Sequence, residues 1–213
     1  MQNNKITIFG ASGAAGKLGV DYALSQGYLV TAFVRNKSKL NRQHPNLKII
    51  EAPLCDVGAV EDAVDGALAV ISFLGPQGKI KNSLLSEGVK AIVKAMEKKH
   101  TKRLIALGTR NIRASEDGVD LRFTIMVSLL KLLARKTYQE VINMGSHIMV
   151  SSLDWTIIRV PWLNDKPLSG RIRLGYYGDK QNMTLSRADL AKCFIDQIND
   201  KKFLHKLPAL SNY

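Results

Sequence analysis

The chain has 213 residues with 46% hydrophobic content, which suits one α/β domain over residues 1–213. Its 31 Lys and Arg against 18 Asp and Glu give a net charge of +13, but the cations are dispersed and carry no zinc spacing, aromatic-basic pattern or low-complexity tail, so charge alone does not point to nucleic acid. Cys55 and Cys193 lie in apolar stretches without metal-ligand spacing, no leader segment precedes the first strand and no apolar run is long enough to cross a membrane, so the expectation is a cytoplasmic protein with no metal.

Lys5 to Phe9 reads as a buried strand, Gly10-Ala11-Ser12-Gly13 as a tight turn, and Ala14 to about residue 26 as a helix closed by Gly27. The glycines fall as Gly-x-x-Gly-x-x-Gly at Gly10, Gly13 and Gly16, a spacing variant of the dinucleotide fingerprint. Gly10 permits the sharp turn, Gly13 keeps side chains away from a pyrophosphate, and Gly16 lets helix and strand pack closely. Ser12, Ala14 and Ala15 complete the cradle, where the helix N-terminus offers unpaired N–H groups to phosphate.

A second strand, Tyr28 to Val34, ends in Arg35-Asn36-Lys37-Ser38-Lys39. NAD binders place an acid about 20 residues past the glycines, on the ribose 2′-OH. Here that place holds Arg35, with Lys37 and Lys39 close behind, so the cofactor expected is NADP(H). A third strand spans Leu47 to Ala52. Asp56 then either bonds the adenine amino group, caps the helix over 57–65, or does both.

Ala67 to Leu74 is apolar throughout, as suits a central parallel strand. Leu74 and Gly75 at its carboxyl end face the ligand crevice, where Gly75 lets a ribose approach, and Pro76-Gln77-Gly78 continue the loop. A helix follows over 84–99, with Leu85, Val89, Ile92, Val93 and Met96 on its core face. The basic run Lys94 to Arg103 reads as the solvent face of that helix and its exit loop.

Lys102 to Leu107 is a fifth strand ending in Gly108-Thr109-Arg110, which sets the Thr109 hydroxyl beside a nicotinamide. Residues 111–120 read as a loop. Leu121 to Ala134 is an apolar helix, ranked as core or homodimer face ahead of a lid. A helix over 136–151 and a strand over 153–160 follow, and Pro161-Trp162 turn the chain out. Short strands and turns over 163–185 are expected to build the substrate side. A helix over 186–199 has Ser186 as N-cap and Asp189 three residues on. Phe203 to Leu207 reads as a last strand.

The stretches Ile8 to Gly16, Val34-Arg35, Asp56-Val57, Leu74-Gly75, Ser86-Glu87-Gly88, Leu153-Asp154-Trp155-Thr156-Ile157-Ile158-Arg159, Pro167-Leu168-Ser169-Gly170 and Ser186-Arg187-Ala188-Asp189-Leu190 carry a family resemblance. The chain resembles the atypical short-chain dehydrogenase/reductases with an NAD(P)H-binding, NmrA-like domain, and within them is similar to flavin reductase/biliverdin-IXβ reductase. The resemblance implies a Rossmann-like doubly wound parallel sheet with a small C-terminal substrate-side region. It also implies hydride transfer from NADPH to a conjugated small-molecule acceptor such as a flavin, tetrapyrrole or quinone. Thr109 matches the family's hydroxyl near the nicotinamide, and Arg35 and Lys39 match its 2′-phosphate ligands.

Three departures matter. Ordinary short-chain dehydrogenases carry Tyr-x-x-x-Lys on a helix, where the lysine prepares the tyrosine to pass a proton. Here Tyr138 is followed at that spacing by Ile142, and the spacing from Tyr176 to Lys180 crosses a Gly178-Asp179 turn and reads as chance. Where the flavin-reductase relatives carry a His after the proline that follows strand six, this chain has Trp162, a candidate to stack on the acceptor, as is the 121–134 helix. His147 is the nearest other acid and reads as a structural or surface histidine. The missing Tyr/Lys pair leaves a second reading open, a non-catalytic NADP(H)-binding redox sensor of NmrA-like type. A sugar-nucleotide epimerase is disfavoured, since it needs that pair and a larger C-terminal region.

Overall fold

The computed structural model describes residues 3–75, 84–118, 133–178 and 181–213. Strand β1 (Lys5–Phe9) is apolar on both faces past Lys5, and its one buried polar side chain, Thr7, donates from Oγ1 to the Ala63 carbonyl at 2.5 Å. Helix α1 (Ala14–Ser25) follows, with Gly27 in the left-handed region at φ +80° just past its end. The chain then steps outward through β2 (Leu29–Val34), a short 3-10 turn (Lys37–Leu40), β3 (Leu47–Glu51) and α2 (Val57–Val64). It crosses back to β4 (Ala69–Ser72) and continues through α3 (Leu84–Lys98), β5 (Arg103–Thr109), α4 (Arg135–Met149) and β6 (Asp154–Val160). Val89, Ile92, Val93 and Met96 of α3 are buried, as their helical spacing requires.

The main sheet has the order β3-β2-β1-β4-β5-β6-β10-β8, with β8 (Ile172–Gly175) and β10 (Ala209–Asn212) at one end. Neighbours run parallel from β3 through β6 to β10, and only the edge strand β8 is antiparallel. This is a Rossmann-like doubly wound sheet, whose direction of winding reverses between β1 and β4. One face packs on α1 and α5 (Arg187–Asp196) through residues such as Ile6, Ile8, Val20 and Phe194. The other packs on α2, α3 and α4 through Phe9, Val60, Met96 and Met144. Two short strands, β7 (Trp162–Asn164) and β9 (Thr184–Ser186), pair in parallel outside the main sheet. Trp162 therefore opens a strand rather than ending a simple turn, and the 163–185 stretch contributes both to that ribbon and to the main sheet's edge.

Asp189 ties two of the family-like stretches together. Its carboxylate accepts from Ser169 N and Oγ, Gly170 N, Ser186 Oγ and Asn212 Nδ2, joining the start of α5 to the 169–170 turn and to β10. Ser186 caps α5 as expected, accepting from Asp189 N at 3.0 Å. Burial works against the Asp189 charge, but these donors outweigh it and hold the carboxyl below its ordinary range.

Three expectations are corrected. Phe203 to Leu207 is a series of turns and the final strand is β10, because His205 takes the left-handed conformation at φ +54° and a ladder cannot continue through it. Arg103 is not on a solvent face. It is buried, with Nη1 on Asp154 O and Thr156 Oγ1 and Nη2 on Gln197 O and Asp200 O, so it caps the carboxyl end of α5. Cys55 is exposed rather than set among apolar side chains, because it sits in the turn between β3 and α2; Cys193 is buried, which pushes its thiol up to about 12. The apolar segment expected as a helix over 121–134 lies outside the described residues up to position 132, as do Pro76, Gln77, Gly78 and Lys180.

Candidate functional site

The glycine loop lies at the carboxyl end of β1, at the reversal of the sheet. Gly10 has φ +74°, and a Cβ there would stand 3.0 Å from the Phe73 carbonyl carbon. A Cβ on Gly16 would lie 2.1 Å from the Gly10 oxygen, so strand end and helix touch backbone to backbone. Gly13 N–H closes the turn onto Gly10 O at 3.0 Å. Gly13 is also the N-cap of α1, with no side chain to cap it, so among the described residues the first-turn N–H groups of Ala14, Ala15 and Gly16 receive no side-chain acceptor. That donor set suits a phosphate. One member escaped the sequence reading: Gly19, where a Cβ would meet the Phe73 ring at 2.5 Å. Its signal was the continuing three-residue spacing from Gly10.

At the carboxyl end of β2 the three cations separate. Lys37 is held by Glu51, with its backbone N–H on Oε1 at 3.2 Å and its Nζ 3.9 Å from Oε2. Arg42, further along, is engaged by Asp21. Arg35 and Lys39 are exposed and their side chains have no partner among the described residues. Asp56, in the turn between β3 and α2, accepts from Ala59 N at 3.0 Å and so caps α2.

On the other side of the reversal, β4 leads into Phe73, Leu74 and Gly75. A Cβ on Gly75 would stand 2.9 Å from Leu107 Cδ2. Thr109 is the last residue of β5, half-buried, and its Oγ1 accepts from Asn111 N at 3.3 Å. Gly75, Leu107, Thr109, Ile112, Met144 and Gly145 line a small apolar cavity under α4. Thr109 pairs in register with Val160, and Trp162 lies two residues beyond, 64% exposed, its backbone N–H on Met183 O. Tyr138 is half-buried in the first turns of α4, and Ile142 follows it where a lysine is absent. His147 lies in the last turn of α4, toward the amino end of β6.

A charged cluster beside Thr109 is not legible in the sequence. Arg159 is fully buried, with Nε on Leu207 O at 2.7 Å, Nη1 on Ile112 O at 3.0 Å, and Nη1 and Nη2 on the two Asp117 oxygens at 2.5 and 2.7 Å. Arg159 and Arg110 both stack on Tyr177, at 4.6 and 4.7 Å from its ring centre. Burial pushes the Tyr177 hydroxyl up to about 12. It also works against the Asp117 charge, but Arg159 and the N–H groups of Ala114 and Tyr177 hold that carboxyl below its usual range. In the sequence only Arg159, as the end of the Leu153 to Arg159 stretch, and Arg110, as the residue after Thr109, left a trace. Among the described residues, no group of three His, Cys, Asp or Glu is placed to hold a metal, and no helix is long and apolar enough to cross a membrane.

A doubly wound sheet with an uncapped, glycine-lined helix start at its reversal defines a nucleotide-binding α/β protein. The NAD(P)H-binding family model matches residues 10–201, and the chain belongs to that family. Solved structures agree in fold. A short-chain dehydrogenase/reductase of Veillonella parvula, in complex with NADP, superposes with TM-score 0.81 at 21% identity, covering 99% of this chain and 95% of that one. An oxidoreductase of Lactococcus lactis gives 0.80 at 21%, over 98% and 91% of the two chains. An anaerobillin reductase of Escherichia coli gives 0.74 at 20%, over 98% and 97%.

Proposed function

We propose that this chain is a cytoplasmic NADPH-dependent reductase that delivers hydride to a conjugated small-molecule acceptor, a flavin, quinone or similar ring system. The observation that carries the cofactor choice is the end of β2, where Arg35 and Lys39 stand without a carboxylate while Glu51 takes up Lys37. A 2′-phosphate meets two available cations there, and the nearby acid, Glu51, faces Lys37 instead. The uncapped N–H groups of Ala14, Ala15 and Gly16, with Ser12 and Gly13, bind the pyrophosphate. Asp56 serves the adenine while capping α2, and Leu74 and Gly75 border the ribose.

The bound nicotinamide supplies the hydride. Thr109 orients it from the end of β5, the crevice walls exclude water, and Trp162 offers an exposed aromatic face for the acceptor. A conjugated acceptor fits a site with no Tyr/Lys pair, since a strongly oxidising ring needs little acid catalysis. The name of the Escherichia coli neighbour, a reductase, supports the same reaction class.

The test is NADPH oxidation against a panel of flavins, quinones and dyes, with NADH in parallel. Saturable oxidation is expected, with NADPH preferred. Arg35→Glu should weaken NADPH by about tenfold or more, because it removes a charge-assisted hydrogen bond to the 2′-phosphate and puts a repelling carboxylate in its place. Tight NADPH binding with no oxidation by any acceptor would move the assignment to a sensor. Failure to bind either nucleotide would remove the cofactor reading altogether.

A further inference from the structure

The Asp117–Arg159 pair is an expensive way to join two segments. Arg159 has no exposed surface, and its partner's side chain is 10% exposed. Apolar residues of similar size commonly match such a pair for stability, so stability alone does not explain it. What the pair does that apolar residues would not is specify geometry. The guanidinium spends its donors on one carboxylate and two carbonyls, Ile112 O and Leu207 O. Asp117 spends its remaining capacity on Ala114 N at 2.9 Å and Tyr177 N at 3.1 Å. Every one of these hydrogen bonds fixes the backbone of the loop over 110–118 or of a segment packed on it.

That loop continues directly from Thr109. Its Ile112 is buried against α4, so closely that a Cβ on Gly145 would stand 2.7 Å from Ile112 Cδ1. Gly108, one residue before Thr109, is opposite Arg159 in the ladder, and a Cβ there would meet Arg159 Cγ at 3.3 Å and Ile157 Cγ2 at 2.6 Å. The missing side chain at 108 leaves room for the arginine stem beside the strand end that presents Thr109. By contrast, the adenosine-side residues Gly10 to Gly16, Arg35 and Lys39 sit at the ends of β1 and β2, and β4 and β5 lie between β1 and Arg159 on β6.

Resting on the reductase reading above, we propose that Asp117 and Arg159 are a positioning pair. They hold the 110–118 loop, and with it Thr109 and Ile112, as the wall of the nicotinamide end of the cofactor site, and they leave the adenosine end alone. Two probes separate the ends: NADPH, and adenosine 2′,5′-bisphosphate, which lacks the nicotinamide. Calorimetric affinities are measured for the parent, for Asp117→Asn, and for the double variant Asp117→Leu/Arg159→Met, which removes both charges and so strands neither. Hydrogen exchange over Asn111 to Gly118 is followed alongside.

Both variants are expected to lose about tenfold in NADPH affinity while binding the bisphosphate within about twofold of the parent, as for a coupling confined to one end. Faster exchange over 111–118 accompanies the loss, and the double variant does this at a melting temperature near the parent's. Equal weakening of both ligands, or no change in either, overturns the pair's role while leaving the cofactor reading intact. A parent that binds neither probe overturns the cofactor reading itself, and this proposal with it.

Discussion

The two ends of the crevice are built by different means. The β1 end is largely backbone: bare glycines bring β1, α1 and β4 into contact, and the start of α1 has no side-chain cap. The β5 end is side chain: the loop that follows Thr109 is bonded at Ile112 O and Asp117 by the buried Arg159 of β6. The first leaves no room for added atoms, and the second is built around a buried pair of charges. Substitutions at the two ends should therefore fail differently.

The largest effect is expected where a charge is stranded. Arg159→Met alone leaves the largely buried Asp117 carboxylate without its two guanidinium donors and should cost about 4 kcal/mol of stability, read as a denaturant midpoint. A double variant that recovers most of that loss separates the stranded charge from the packing. At the glycine end, Gly16→Ala forces a Cβ to within 2.1 Å of Gly10 O. It should cost about 3 kcal/mol through the displaced helix and abolish nucleotide binding, with a melting curve and a calorimetric titration as the checks. Normal NADPH binding in that variant would show that the close approach is not needed.

Two smaller effects sharpen the contrast. Asp189 has a folded pKa below its unfolded value, so its contribution is complete above the ordinary carboxylate range, about 4, and is lost as pH falls through the folded value. Asp189→Asn should lower stability near neutral pH and flatten the acid limb of the stability profile, measured by denaturant melts across pH. An unchanged acid limb would assign that limb to other carboxylates. Trp162→Ala should be the mildest, because the ring is 64% exposed. Melting temperature and NADPH affinity should stay put while the acceptor Michaelis constant rises by about threefold or more, the scale of one aromatic stacking interaction. An unchanged acceptor constant removes Trp162 from the acceptor side.

The fold was largely legible because its signals are local. Apolar runs such as Leu29 to Val34, the buried stripe of α3 and the capping serine at 186 each depend on residues a few positions apart. The errors came where local pattern and long-range packing disagreed. Phe203 to Leu207 has the composition of a strand, yet Phe203 and Lys206 give their carbonyls to Thr156 and Ile157, and His205 turns left-handed between them. Arg103 looked like one more surface cation, yet it closes the end of α5, 94 residues away at Gln197.

The doubly wound sheet came from the family resemblance; the residues by themselves determined the glycine turn after β1 and the cationic end of β2. Each of these follows from what single residues permit: a positive φ, a missing Cβ, the absence of an acid. Only the tertiary structure decided which of the cations at β2 stays available, because Glu51 reaches Lys37 from the neighbouring strand. Only it decided that Arg159 meets Asp117 across 42 residues of chain, because the strength of that pair depends on burial, and burial exists only once the sheet and its helices have closed over it.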